Sequence, residues 1–542
     1  MRKNIKKYLA AFAALSLLLT ACGRAKDAKS DSSADTTQAG ETKTGSGTGE
    51  KVLKFGQANA GTGLDMQKST SSGAASIADE VTESLLRFND KNEEEVVLLT
   101  DFPKVSDDGL TYSFELKKGV KFTNGVELTT KDVQYTFERM FTPETGAKST
   151  TYFDMIKGAK DMLAGSTTSL SGFEAVDDYH FNIVLDQPFA PFVKNLGTSY
   201  ADIFPAEATK AAGADWGIGT NLIGTGPYKI LSNDDTTEVV LVKNEDYHGG
   251  NVNLDTLRVL YYDDAQTKLI AYENGDIDLS DLPASQLEQY EANHADEIKK
   301  YYPLGTTFIS LNLKSEYISD VNVRKAISLA INREELVNTI LAGAGIPATT
   351  FLNNKIPGHD DSLPVMEYNP EKAKKILADA GYNSGINLTA EVRDTDEAIF
   401  NAIQGYLEEV GIHLEVKKVD NATWNSDRAA GNVQMTGMQW NALYPDADFQ
   451  MYNYFYSKNS NNRGVFYDNA EYDKLLDDAR ASTDEKQRAE LYKQADHILT
   501  FEDYAAIPLY YPQSQFIAKP FVKDFTVGNL IYHFWNVDVD MK

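Results

Sequence analysis

A single cysteine, Cys22, occurs in 542 residues. With that thiol committed, the rest of the chain has no route to a disulfide, a Cys-ligated metal centre or a thiol nucleophile. Cationic side chains are also in deficit: 52 Lys and Arg stand against 80 Asp and Glu, a formal net charge of −28. Nucleic acids and anionic lipids attract Lys and Arg clusters, so this balance argues against both as partners and favours solubility. The one clear apolar run, from Tyr8 to Leu19, is too short for a bilayer core of roughly 30 Å. No Gly-x-Ser-x-Gly elbow, His-Glu-x-x-His helix or P-loop is present, which removes the commonest hydrolase, zinc-protease and nucleotide signatures. The histidines, His180, His248, His294, His359, His413, His497 and His533, are widely spaced. That spacing disfavours a clustered metal site, and no cofactor is expected. Carboxylate pairs are so frequent that composition alone does not exclude a secreted glycosidase.

What is present begins with Arg2, Lys3, Lys6 and Lys7 ahead of the apolar run, the pattern of a secretory signal peptide. Leu19-Thr20-Ala21-Cys22 followed by Gly23 reads as a lipobox. Its cysteine takes a diacylglyceryl group and becomes the mature amino terminus, with palmitate as a further acyl chain. An uncleaved anchor or a chance cysteine is the alternative. Residues 1–22 are thus expected to be signal peptide and lipobox. Residues 23–50 contain no aromatic residue and are built largely from Ser, Thr, Asp, Lys, Gly and Ala, the composition of a disordered tether. The body from 51 onward is too long for one hydrophobic core and is expected to divide into two or three domains.

Within that body, strand and helix patterns alternate. Leu110 to Leu116 alternates apolar with polar at period two, and Lys131 to Met140 places Val133, Phe137 and Met140 on one helical face. Asn369-Pro370 opens a helix with an N-cap and an N1 proline, and Gly381 closes it. A strand from Ile386 to Val392, a helix carrying Ile399, Phe400, Ile403, Leu407 and Val410 up to Gly411, and a strand from His413 to Val419 follow. Two close helices are expected over 322–341, the second opened by a capping box of Asn332 and Glu335. The β-α-β order predicts an α/β architecture, with mixed sheets covered by helices.

At Asp320-Val321-Asn322-Val323-Arg324-Lys325-Ala326-Ile327, continuing into Ala330-Ile331-Asn332-Arg333, the chain resembles the extracellular solute-binding proteins of family 5, the oligopeptide- and dipeptide-binding receptors of ABC importers. Further blocks match in order: Ser106 to Tyr112, Leu116 to Phe122, Lys131-Asp132-Val133, Gly224-Thr225-Gly226-Pro227-Tyr228, Asn369 to Ala373, Trp440 to Asp446, Tyr472 to Leu476, and Ile507-Pro508-Leu509. The glycines of Gly224-Thr225-Gly226-Pro227 are expected to adopt positive φ at a domain crossing. Asp107-Asp108-Gly109 and Thr123-Asn124-Gly125 are expected to be hairpin turns.

The resemblance implies a two-lobed binding-protein fold with an extra inserted domain that closes on a hinge: lobe I from 51–94, 220–305 and 506–542, inserted domain II from 95–219, and lobe III from 306–505. It implies a non-enzymatic receptor that captures peptides and delivers them to a permease with ATPase subunits. Such a receptor is expected to be a monomer outside the cytoplasm, held to the membrane by lipid alone, on a Gram-positive-like surface. A non-peptide solute such as an oligosaccharide, or peptide sensing, are the alternatives.

Ligand contact is expected in 437–449 and nearby, from Gln439, Trp440, Asn441, Tyr444, Asp446, Asn461 and Arg463. Aromatic faces pack on side chains or sugars, and a guanidinium offers a fork for a carboxylate. In many peptide-binding relatives the third residue after the tryptophan is an aspartate that accepts the peptide's α-ammonium. Here it is Leu443. Leucine accepts no hydrogen bond, so Asp446 and Asp448 are the nearest substitutes, with turn roles beside Pro445 as the alternative.

Overall fold

The computed structural model describes residues 49–61, 63–528 and 531–540. The signal peptide, the lipobox with Cys22 and nearly all of the expected tether lie outside the described residues. Among the described residues no helix is long and apolar enough to cross a membrane.

Period-two and helical patterns mature where local signals are strong. Strand Thr111–Glu115 and helix Thr130–Phe141 lie within a residue or two of their expected bounds, and the helix is opened by a Thr129/Asp132 capping box. Helix Pro370–Asp379 starts on Asn369, whose side chain accepts from the Lys372 amide. Strands Ile386–Val392 and Ile412–Lys418 flank helix Glu397–Glu409 and pair in parallel, as a β-α-β unit requires. Gly381 and Gly411 both sit at positive φ just past their helices. Helix Val321–Ala330 is followed by Arg333–Glu335, which continues as a wider turn over Leu336–Ile340.

The turn-rich motifs resolve in two ways. Gly109 and Gly125 take positive φ. Gly224 and Gly226 do not appear among the positive-φ residues; a Cβ on Gly224 would lie 2.1 Å from the Val81 carbonyl oxygen, and one on Gly226 would lie 2.8 Å from that of Glu80. Close backbone approach, rather than turn handedness, is what demands glycine there.

Three assemblies carry these elements. A seven-stranded mixed sheet runs in the order Ile298–Tyr301, Ser514–Ala518, Leu279–Leu282, Val52–Gln57, Thr256–Tyr261, Glu238–Lys243 and Tyr228–Asp234. It forms lobe I, with a core around Leu53, Phe55, Trp216 and Phe534. A four-stranded antiparallel sheet over residues 104–184 carries its own core, from Leu85 to Ile203, and forms domain II. A six-stranded sheet, Gly345–Pro347, Ala506–Pro512, Gly305–Leu311, Met435–Asn441, Ile386–Val392 and Ile412–Lys418, builds lobe III.

Strand Ala506–Pro512 pairs with Gly305–Leu311 in lobe III, so the chain re-enters lobe I at Gln513 rather than at 506. The interior run Ala505-Ala506-Ile507 is fully buried in lobe III's cores, which is why the strand stays there. The two crossings, 302–304 and 513, are tied together where Gln513 Nε2 donates to the Tyr302 hydroxyl at 2.5 Å. Two adjacent single-strand connections are the natural place for a hinge.

Candidate functional site

A cavity of about 140 Å³ lies where the three assemblies meet, many times the roughly 15 Å³ that one ordered water needs. Lobe I supplies Met66, Asp79, Phe88, His533 and Trp535, domain II supplies Tyr200 and Asp202, and lobe III supplies Leu443. Aromatic and aliphatic groups share the wall with many polar side chains, among them Thr82, Glu83, Arg87 and Ser199, and apolar surface with placed polar groups is what a small-molecule site needs.

Each wall has a local cause. Ser71 caps helix Ser72–Ala78, whose buried face holds Ala74, Ala75, Ile77 and Ala78, and the helix ends at Asp79. Asp202 follows the short turn Ser199–Ala201. Thr82 bridges the two segments: its hydroxyl donates to Asp202 Oδ2 at 2.6 Å and lies 2.8 Å from the Ala78 carbonyl oxygen. Asp79 Oδ1 is enclosed without a hydrogen-bond partner. Burial pushes the Asp79 carboxyl up to about 7, against a smaller lowering from its hydrogen bond with Ser199. Burial, reinforced by Asp79, lifts Asp202 well above the carboxylate range. Glu83 is differently served: it accepts from Thr225 at 2.7 Å and Tyr247 at 2.8 Å, and lies 2.6 Å from His248 Nε2.

The strand Met435–Asn441 delivers the 437–449 segment to the lobe interface. Of the segment only Leu443 lines the cavity; none of the seven expected ligand contacts does. Trp440 is half-buried behind that wall, donating its indole N–H to the Phe449 carbonyl at 3.2 Å. The Arg463 guanidinium stacks 4.7 Å from the Trp440 ring, and its Nε donates to the Asn453 carbonyl. Gln439 donates to Asn441 Oδ1 at 3.2 Å and accepts from Thr307 at 3.4 Å. Tyr444 is 2 % exposed and stacks on Phe88 across the interface, ring centroids 6.1 Å apart. Asn461 begins a short turn and is exposed.

Asp446 is committed elsewhere. It caps helix Ala447–Phe455 through the Asp448 amide and accepts from Arg488 Nη2 at 2.6 Å and from Lys194 Nζ of domain II at 2.9 Å. Burial alone would raise its carboxyl, but the two cations outweigh that and hold it below the usual value. Asp448 lies 3.1 Å from Arg480 Nε and accepts from Tyr492 at 3.2 Å. Lys194 on Asp446, together with the Ala190 N–H donating to the Arg480 carbonyl at 2.9 Å, fastens lobe III onto domain II, while Arg488, Arg480 and Tyr492 brace the two acids from within lobe III. Only Leu443 of the expected segment reaches the cavity, and Asp79 and Asp202 on its wall were not among the expected contacts. The available signal was a pair of acids, Asp79-Glu80, interrupting the apolar run from Ala74 to Val81.

Comparison with known proteins places this geometry in context. The model for bacterial extracellular solute-binding proteins, family 5, matches residues 95–462. A probable D,D-dipeptide-binding periplasmic protein of Escherichia coli (strain K12) is 28% identical over 452 residues, covering 81% of this chain and 83% of the relative. Heme-binding protein A of Haemophilus influenzae is 26% identical over 484 residues, covering 85% of this chain and 87% of the relative. Among solved structures, a periplasmic binding protein from Helicobacter pylori, in complex with the peptide STSA, superposes with a TM-score of 0.76. It is 27% identical and covers 90% of this chain and 98% of that one. The two-lobed fold expected from the motifs is the fold of that neighbour.

Proposed function

The chain belongs to the bacterial extracellular solute-binding proteins of family 5, a family of solute-binding rather than catalytic proteins, and on that premise we propose that it captures small peptides by lobe closure and hands them to an ABC permease. The observation that carries the reading is the cavity itself, built from lobe I, domain II and lobe III at once. A site assembled from parts on both sides of a hinge gives its ligand differential affinity for the closed state, which is what shifts the population toward closure. The neighbouring receptor solved with a peptide supports the ligand class.

In this reading Cys22 carries the lipid that holds the receptor to the outer face of the cell membrane. Residues 23–50 serve as its leash, and permease and ATPase subunits complete the importer. The receptor works as a monomer. Aromatic groups such as Tyr200 and Trp535 on the cavity wall also suit a sugar ring, which keeps an oligosaccharide as the competing cargo.

Native mass spectrometry of the ligand-free protein, mixed with a complex peptide digest and separately with an oligosaccharide pool, tests the proposal. Retained peptides are the expected result. Retained sugars with no peptide would reassign the cargo.

A further inference from the structure

The lobe III side contributes no carboxylate to the cavity, since Leu443 is the residue that reaches it and Asp446 is held by two cations. The opposite wall does contribute. Asp79 and Asp202 both line the cavity, and neither forms an ion pair among the described residues. Asp202 is 2 % exposed and one of its oxygens is bound by Thr82; the other has no hydrogen-bond partner among the described residues. Asp79 Oδ1 is equally unserved. Buried carboxylates are ordinarily paired or fully hydrogen-bonded, because desolvation penalises a lone charge heavily.

The surrounding groups do not supply the missing charge. Glu83 is occupied by Thr225, Tyr247 and His248. Glu80 is fully buried and accepts from the Phe534 amide, and burial raises its carboxyl well above the ordinary value, so it supplies no positive charge. Arg87 is engaged with Glu95 at 3.2 Å and lies 5.0 Å from the Trp535 ring. His533 is kept neutral, its titration pushed down to about 3 by burial and then by Arg87.

We propose that Asp79 and Asp202 form the seat for the primary ammonium of the captured solute, on the wall opposite residues 437–449, with the ligand's apolar body against Phe88, Leu443 and Trp535. The proposal rests on the reading of this cavity as the binding site. An ammonium has three donors and no acceptor, and the open oxygens of the two carboxylates are the acceptors it requires. With no cation paired to either group among the described residues, the pair keeps a proton, as the raised titration of both indicates. An entering ammonium favours the ionised form, and that proton leaves to solvent.

Isothermal titration of the full chain at neutral pH, against the dipeptide Ala-Phe, its N-acetylated form and phenethylamine, tests this in wild type, Asp79→Asn and Asp202→Asn. Wild type is expected to prefer Ala-Phe over the acetylated form. Each asparagine variant is expected to lose roughly 10- to 100-fold for Ala-Phe while leaving the acetylated dipeptide unchanged. Equal affinity for free and acetylated dipeptide in all three proteins overturns the seat and leaves peptide capture standing. Phenethylamine bound by wild type and lost in Asp202→Asn, with neither dipeptide bound, keeps the seat and rejects peptide capture. Binding of none of the probes overturns both. A measurement that needs no variant is proton release by wild type, read in buffers of different ionisation heat: release with Ala-Phe and none with the acetylated form is expected, and no release with either overturns the proposal.

Discussion

Asp202 and Asp446 are buried alike, at 2 % and 3 % exposure, on opposite sides of the lobe interface, yet their carboxyls are displaced in opposite directions. The difference is counter-charge. Asp446 has two cations, Arg488 and Lys194, and is held low. Asp448 has one ion-pair partner, Arg480, and burial, with Asp446 beside it, still raises it against Arg480 and the more weakly acting Arg488. Asp79 and Asp202 have none, and burial raises both. One interface therefore contains both uses of a buried acid: saturated, as a clasp between lobe III and domain II, and unsaturated, facing a cavity that a cationic group would complete.

The strongest way to break that contrast is on the saturated side. Asp446→Asn keeps an N-capping oxygen but leaves Arg488 and Lys194 without their carboxylate, and removing one partner of a buried pair costs about 3–5 kcal/mol. Urea unfolding is expected to show a loss of that size, and an unchanged midpoint would remove Asp446 from the clasp. The same substitution on the unsaturated side acts with the opposite sign: Asp202→Asn replaces a costly buried acid by a neutral amide and is expected to hold or raise stability at neutral pH. Its deficit appears only in binding.

The pH dependence of stability separates the two walls further. The folded-state value of Asp79, about 7, stands above its ordinary value of 3.8, so the folded protein binds the proton more tightly than the unfolded chain. Its contribution is full below about pH 4 and is lost as pH rises toward 7. Asp446 runs the other way, contributing above its ordinary value of 3.8 and losing that contribution as the solution becomes more acidic. Thermal denaturation of Asp79→Asn across this range is expected to show a flatter decline than wild type on the way to neutral pH. An unchanged slope would mean that Asp79 is not the group titrating.

These long-range relations were the least legible part of the sequence. The capped helix after Asn369, the β-α-β unit from Ile386 to Lys418 and the hairpin glycines Gly109 and Gly125 follow from signals within a few residues. The order of the motif blocks also gave the family. The cavity wall depends instead on a contact such as Thr82 with Asp202, separated by 120 residues, and Asp446 meets Lys194 across 252. In a chain with 80 acids, nothing in local pattern tells an acid with a guanidinium beside it from one without. Trp440 and Arg463 were expected as separate ligand contacts, and they stack on each other behind the wall that Leu443 presents.

The smallest expected effect gives the finest discrimination between the walls. Leu443 is half-buried at the cavity, so Leu443→Asp introduces a carboxylate on lobe III without touching Asp79 or Asp202. If the ammonium already sits on the opposite wall, this third acid adds no more than about 1 kcal/mol to Ala-Phe binding, the range of a partly solvated ion pair. In the Asp202→Asn background the same change recovers part of the lost affinity, because the ammonium then has an unfilled donor. A different pattern would reverse the assignment: Leu443→Asp alone tightening Ala-Phe binding by tenfold or more, about 1.4 kcal/mol, with Asp202→Asn indifferent, would put the amine against lobe III and leave the two buried acids of the other wall to a structural role.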